Sequence, residues 1–285
     1  MLSGGLDSAA AAALTGCTKG IIVTLGEDAP DLAYARLAAR ALRMDLTHVI
    51  VSREQALDAL PEVISVLKSF DPAIPNDLPV YFGLRQAKAM GFGSILTGDG
   101  SDEIFGGYSY MRYIDGLDAY IRYLSGVMSF NANLLGEHFG IGIMQPFLHR
   151  DIVNYAVSIG REWKVREMGG TVHGKWVLRE ALKAILPDEL LWQDKRPLET
   201  GSGMAELNSY FDGSMPDEAL HRRIRQRGIY FMNKAHSYYY EIYRRVVGEI
   251  PQPGDDEKSC PGCGAGIKKH RGHCKVCGWV ERGLS

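Results

Sequence analysis

The chain has 285 residues, 46% of them hydrophobic and 23% charged, with a formal net charge of −2. These values are ordinary for a soluble globular protein of one large α/β domain plus a small appendage, and they exclude a polyanion binder by bulk charge. No apolar run approaches the ~20 residues that cross a bilayer, and no basic-then-apolar stretch opens the chain. The expectation is a cytoplasmic protein without a signal peptide or membrane contact.

In chain order, Ser3-Gly4-Gly5-Leu6-Asp7-Ser8 comes first and runs into an Ala-rich helix through about Leu14. Ile21 to Leu25 reads as a strand buried on both faces. A helix follows from about Asp31, with Leu32, Ala35, Ala39 and Leu42 on one stripe. His48 to Val51 is a second strand. Gln55 to Lys68 is a helix that Pro61 should interrupt or split. Pro72, Pro75 and Pro79 predict a stiff loop over residues 71–79, with a helix from Val80 to Met90. Ser94 to Thr97 is a third strand. Strand–helix alternation over the first hundred residues implies a parallel, doubly wound sheet with helices on both faces. From Ile104 to about Ile250 the patterns are helical, with no convincing strand. Pro251 to Glu257 has linker composition, so the expected division is 1–250, a linker at 251–258, and a small module at 259–285.

The Ser-Gly-Gly-x-Asp-Ser loop suits a phosphate. Gly4 and Gly5 let backbone N–H groups approach an anion, the helix N-terminus adds donors, and Ser3 and Ser8 add hydroxyls. Asp7 would be repelled by phosphate, so its sensible role is to hold Mg²⁺ against it. No Lys follows the glycines, so the loop is not a Walker A loop. It resembles the PP-loop of ATP pyrophosphatases, which hold pyrophosphate as a leaving group while the α-phosphate is attacked.

Thr97-Gly98-Asp99-Gly100-Ser101-Asp102-Glu103-Ile104-Phe105-Gly106-Gly107-Tyr108 follows a strand, where open α/β sheets bind ligands. Its three carboxylates make a cation site facing the phosphates. This segment resembles the second signature of the asparagine synthetase family. Asp71-Pro72 through Tyr81, Gln145-Pro146-Phe147-Leu148, Lys175 to Ala181, Trp192 to Lys195 with Gly201-Ser202-Gly203, and the Tyr-rich Lys234 to Tyr243 resemble further stretches of it. The likeness spans about residues 3 to 250.

The resemblance implies an ATP-dependent, AMP-forming ligase that adenylates a carboxylate and passes the acyl group to an amine, with aspartate and ammonia as the default pair. It implies that Asp7 and Asp102 hold Mg²⁺ and pyrophosphate. Leu25 and Gly98 would contact adenine and ribose through their backbones. Lys195 would stabilise charge developing as the amine attacks, with Lys175 as a supporting cation, and Asp99 or Glu103 would relay a proton or touch the acyl substrate. The sequence also departs from the family. The family's N-terminal glutaminase cysteine has no counterpart, so ammonia comes from solution or a separate subunit, or another amine is the acceptor. The strand before the phosphate loop is nearly missing, and its adenine contact falls on Met1. His149 stands where an Asp follows Pro-Phe-Leu, unless Asp151 substitutes, and Ala9 replaces a second serine.

Cys260-x-x-Cys263 and Cys274-x-x-Cys277 lie ten residues apart. Four thiolates suit a closed, structural Zn²⁺ site, and an Fe–S cluster is the lesser alternative. A module this small needs the metal to fold. From Lys258 to Ser285 six Lys/Arg stand against one Glu, a net of +5, which leaves −7 on the other 257 residues. The stretch Lys268-Lys269-His270-Arg271 is therefore either an RNA or protein contact or a solvated loop. Cys17 stands alone and reads as a small packed residue. Two other functions compete: a PP-loop RNA-modifying enzyme such as a tRNA thiolase, which usually needs reactive cysteines near the nucleotide, and a catalytically reduced binding protein.

Overall fold

A computed structural model describes residues 1–214, 216–217 and 228–281. The remaining residues, which include part of the expected helical half and the end of the expected ribbon at Ser285, lie outside the described ones.

Two parallel strand pairs organise the chain. β1 (Lys19–Leu25) pairs with β2 (Asp45–Val51), from Lys19 opposite Asp45 to Leu25 opposite Val51. β3 (Ser94–Leu96) pairs with β4 (Gly142–Met144). The first residues of the chain bridge the two pairs. The Leu2 amide donates to the Ile21 carbonyl at 2.8 Å, and the Met1 nitrogen donates to the Leu96 carbonyl at 2.6 Å. Residues 1 and 2 thus hydrogen-bond to both β1 and β3.

Side chains alternate across β1 as strand geometry requires. Ile21 and Val23 enter an apolar cluster with α3 (Arg53–Leu67) and α4 (Ile74–Ala89), while Ile22 packs with Leu32 and Ala35 of α2 (Leu32–Ala41). The alternation puts helices on both faces of this mixed α/β body. On the α2 side, the buried alanines 9–12 of α1 (Leu6–Thr15) let that helix lie close against Leu2 and Ile104.

Two proline expectations fail. α3 runs through Pro61 without a break. A mid-helix proline costs roughly 3 kcal/mol, but a Ser52–Gln55 capping box and the buried residues Ala56, Leu60, Val63 and Ile64 on either side hold the helix together. α4 begins at Ile74 rather than Val80. Pro75 occupies its first turn, where no N–H is needed, and Pro79 sits buried inside it.

The stretch after Ile104 is mainly helical, in α5 (Ser101–Phe105), α6 (Leu117–Val127), α7 (Asn131–Phe139), α8 (Arg150–Ser158), α9 (Arg161–Lys164), α10 (Trp176–Leu182), α11 (Asp188–Leu191), α12 (Leu198–Gly201) and α13 (Glu206–Ser214), then a C-terminal helix, Lys234–Val246. It also holds strands where none were expected. β4 is three residues long, too short to show a period, and exists because the β3 edge pairs with it. β5 (Arg166–Met168) and β6 (Thr171–His173) form a hairpin across Gly169-Gly170, both at positive φ. That Gly-Gly pair is a hairpin signal that could have located it.

The cysteine module carries β7 (Glu257–Ser259) antiparallel to β8 (Gly266–Lys268). It docks on the body. The Phe70 amide donates to the Val276 carbonyl at 2.7 Å, and the Tyr230 amide to the Gly262 carbonyl at 3.2 Å. Cys260, Cys274 and Cys277 share one apolar cluster with Phe70, Tyr240 and Tyr243. No helix among the described residues is long and apolar enough to cross a membrane.

Candidate active site

The candidate phosphate loop, Ser3 to Ser8, is tied to itself. The Ser3 amide donates to Ser8 Oγ at 3.1 Å, and Ser8 Oγ donates to the Gly5 carbonyl at 3.0 Å. This places Ser3, Gly4, Gly5 and Ser8 around the start of α1, with Asp7 in its first turn. The backbone of Gly98, at the end of β3, lies against Asp7. The second motif then turns into α5, which presents Asp102.

Two lysines from distant segments span Asp7 and Asp102. Lys175 Nζ lies 2.6 Å from Asp7 Oδ2 and 2.6 Å from Asp102 Oδ1. Lys195 Nζ lies 2.7 Å from Asp102 Oδ2 and 3.7 Å from Asp7 Oδ2. Lys175 is 3% exposed, so its charge is tolerable only because both carboxylates face it. It occupies the left-handed N-cap of α10, with φ 57°, a strained conformation for a side chain of this kind. Its amide donates to the Phe105 carbonyl at 3.0 Å, which holds it there. Gly107 is required beside it, because a Cβ at that position would strike the Asp102 carboxylate and the Lys175 stem.

The electrostatics follow from the pairing. Burial alone would push Asp7 up, but the Lys175 and Lys195 ammoniums outweigh it and hold the carboxyl well below the usual range. Burial likewise works against the Lys195 charge, and Asp102 and Asp7 overcome it and raise the ammonium above its ordinary value.

Asp99 and Glu103 stand in the same field but have their own partners. Asp99 Oδ2 accepts from Thr97 Oγ1 and Gln145 Nε2, both at 2.8 Å, and burial raises its carboxyl. Glu103 Oε1 accepts from the Tyr108 hydroxyl at 2.7 Å. Burial pushes it up to about 6, the Tyr108 bond opposes that, and Asp102 adds to it. Neither touches Lys175 or Lys195 by a hydrogen bond among the described residues. Leu25 sits apart from this cluster. Its amide donates to the Ser202 carbonyl at 2.8 Å, so that N–H is already engaged.

Several positioning residues escaped the sequence reading. Gln193 Nε2 donates to the Gly4 carbonyl at 2.9 Å. Arg196 donates through Nε to Asp31 Oδ1 at 2.8 Å and through Nη2 to Gln193 Oε1 at 2.9 Å. This clamps the Lys195 segment onto the phosphate loop. Asp31 stands at the start of α2, where its carboxylate caps no backbone N–H and takes Arg196 instead. Buried Arg179 donates to the carbonyls of Gly174 and Leu191, drawing both lysine segments together. Its place in the Lys-x-x-Leu-Arg stretch was the available signal. His149 caps α8, its Nδ1 accepting from the Asp151 amide at 3.4 Å, and with Cys17 it lines an open groove of about 440 Å³ beside β3 and β4.

The donor set fits a hard cation. Asp7 Oδ1 is buried with no hydrogen-bond partner among the described residues, and Asp102 faces it from the opposite motif. A spare carboxylate oxygen is the ligand that Mg²⁺ takes. The four module cysteines fit a different ion. Their sulfurs lie within 4.8 Å of one another, with Cys260 to Cys277 at 3.7 Å and Cys263 to Cys274 at 3.8 Å. A tetrahedron with Zn–S arms of about 2.3 Å has edges of about 3.8 Å.

Residues 1–140 and 117–241 match the family model described as asparagine synthase. A probable asparagine synthetase [glutamine-hydrolyzing] of Dictyostelium discoideum is 29% identical over 246 residues, 81% of this chain and 44% of the relative. Asparagine synthetase [glutamine-hydrolyzing] 3 of Arabidopsis thaliana is 30% identical over 238 residues, 74% of this chain and 41% of the relative. The Sandersonia aurantiaca asparagine synthetase [glutamine-hydrolyzing] is 28% identical over 290 residues, 89% and 54%. The chain spans about half the length of the curated relatives it matches. The matched residues contain both the phosphate loop and the lysines that close over it, and on that likeness the chain belongs to the asparagine synthase family.

Proposed function

We propose that this chain is an ATP-dependent carbon–nitrogen ligase that makes an amide through an acyl-adenylate, with aspartate as the carboxylate and ammonia as the amine. The observation that supports this most is the cross-bridging of Asp7 and Asp102 by Lys175 and Lys195. It gathers two anions and two cations at a phosphate loop, an arrangement able to accept a polyphosphate and its counter-ion.

In the first step a substrate carboxylate oxygen bonds to the α-phosphorus of ATP and the bond to the β-phosphate oxygen breaks. Pyrophosphate departs into the loop of Ser3, Gly4, Gly5 and Ser8. Asp7 and Asp102 are the residues that would hold Mg²⁺, which when bound neutralises charge on the leaving pyrophosphate. In the second step the amine bonds to the acyl carbon and the bond to AMP breaks. Lys195 is assigned to stabilise the negative charge that develops in this step. Glu103, with its carboxyl raised to about 6, is the nearer match to a proton acceptor at neutral pH, and Asp99 is the alternative.

In this reading residues 1–250 are the ligase body, 251–258 a linker and 259–285 a ribbon holding structural Zn²⁺ on Cys260, Cys263, Cys274 and Cys277. Leu25 and Gly98 offer the backbone contacts for adenine and ribose, with Leu25 restricted to its carbonyl.

ATP–pyrophosphate exchange with Mg²⁺, with and without L-aspartate, tests the proposal. Aspartate-dependent exchange is expected. ATP binding without exchange would remove aspartate as the substrate.

A further inference from the structure

Five tyrosines, at positions 108, 110, 113, 120 and 123, fall within sixteen residues. Four of them form a file of rings. Tyr108 and Tyr110 stack at 5.6 Å and 9°. Tyr110 meets Tyr120 edge-on at 6.2 Å, and Tyr120 stacks with Tyr123 at 6.5 Å. The file starts at the active site, where the Tyr108 hydroxyl holds Glu103. It ends at the cysteine module, where the Tyr123 hydroxyl donates to the His270 carbonyl at 3.3 Å. His270 belongs to the basic loop between the two cysteine pairs, which exposes Lys268, Lys269 and His270 to solvent.

Packing accounts for Tyr108 and Tyr120, which rest on the cluster of Met111, Leu117, Ile121 and Val165, but not for the rings beside them. Rings that serve a core are buried, whereas Tyr110 is 37% exposed and the adjoining Tyr113 is 75% exposed. Asp118 on α6 is paired with Lys164 at 2.8 Å, and the carboxylates an anion would meet are exposed Asp115 near Tyr113 and Glu257, opposite Lys268 in the β7–β8 pair. The exposed Lys268 and Lys269 are therefore presented at one end of a partly exposed aromatic strip whose other end is the candidate active site.

We propose that this strip binds single-stranded RNA, with bases against the tyrosine rings and phosphates on the basic loop. Flat aromatic faces repeated along a basic track are what unpaired bases on a polyanionic backbone require. An acidic peptide would satisfy the lysines but leave the rings without flat partners. The adjoining Tyr113, 75% exposed, carries a hydroxyl that can pair with a ribose 2′-hydroxyl and so favour RNA over DNA. The surface stands apart from the ligase reading, because binding is measured without turnover and either can fail alone.

The test is a fluorescence-anisotropy titration of the full, metal-containing chain with an end-labelled oligouridylate of about 15 nucleotides, without ATP. Binding is expected to weaken at least tenfold between about 50 and 200 mM salt. The double variant Lys268→Glu, Lys269→Glu should lose at least tenfold in affinity, and Tyr110→Ala with Tyr113→Ala about tenfold or more. Tyr110→Phe should keep most of the affinity, and all variants should melt like the parent. Absence of binding, equal affinity in the variants, or tighter binding of DNA of the same length would overturn the proposal. Displacement of the RNA by oligoglutamate at comparable concentration would overturn it in favour of an acidic protein partner.

Discussion

Lys175 reaches Asp7 across 168 residues of chain, Nζ to Oδ2 at 2.6 Å, and the same ammonium meets Asp102. A buried charge bound to two carboxylates is expensive to remove from one side only. Lys175→Met leaves Asp7 and Asp102 facing each other with less compensation. It should destabilise the chain by about 3–5 kcal/mol in urea denaturation. Lys195 is 31% exposed at its side chain and shares the same partners, so Lys195→Ala should cost only about 1 kcal/mol or less. That variant should lose amide formation while still binding ATP. Equal turnover in Lys195→Ala and the parent would remove its assigned role.

Glu103 sets a pH expectation. Its carboxyl is raised to about 6, chiefly by burial, so it is neutral below that pH and ionised above it. As a proton acceptor it works only when ionised, and kcat/KM should rise with pH through about 6. In Glu103→Gln that rising limb should disappear along with most of the rate. A native profile without a limb near this pH would take the proton-acceptor role from Glu103.

The cysteine module should hold one metal ion per chain. Cys260→Ser with Cys263→Ser should release it, as should a strong chelator. Because Val276 accepts from the Phe70 amide and the cysteines share a cluster with Tyr240 and Tyr243, the loss should not stay local. Metal analysis and thermal melting together check this. The expected pairing is loss of metal with a melting temperature lowered for the whole chain.

Tyr239 offers a substitution of the opposite sign. Its ring is fully buried on the C-terminal helix, and its hydroxyl has no partner among the described residues. Tyr239→Phe removes a buried donor that gains nothing in return, so stability should stay level or rise by up to about 1 kcal/mol. A marked loss in chemical denaturation would show that the hydroxyl is engaged.

Much of the architecture was legible because it is written locally. Ile21 to Leu25 and His48 to Val51 are short apolar runs, and the Leu32–Ala35–Ala39 stripe carries its period within a few residues. The phosphate loop and the Gly98 to Gly107 motif announce themselves by glycine spacing, and the cysteine pairs by their own. Where local rules misled, tertiary contacts had overruled them. Pro61 and Pro79 stay inside helices because buried neighbours on both sides fix those helices. Likewise, β4 is a strand only because β3 lies beside it.

The sequence by itself determined the glycine-rich loop from Ser3 to Ser8, the acidic motif and the paired cysteines, since each depends on residues a few positions apart. Only the tertiary structure decided that Lys175 and Lys195 meet Asp7 and Asp102, that Arg196 takes Asp31, and that the tyrosine file ends on His270. Those pairings join segments up to 168 residues apart. No periodicity encodes them, because they arise where separately formed helices and strands pack their buried faces together.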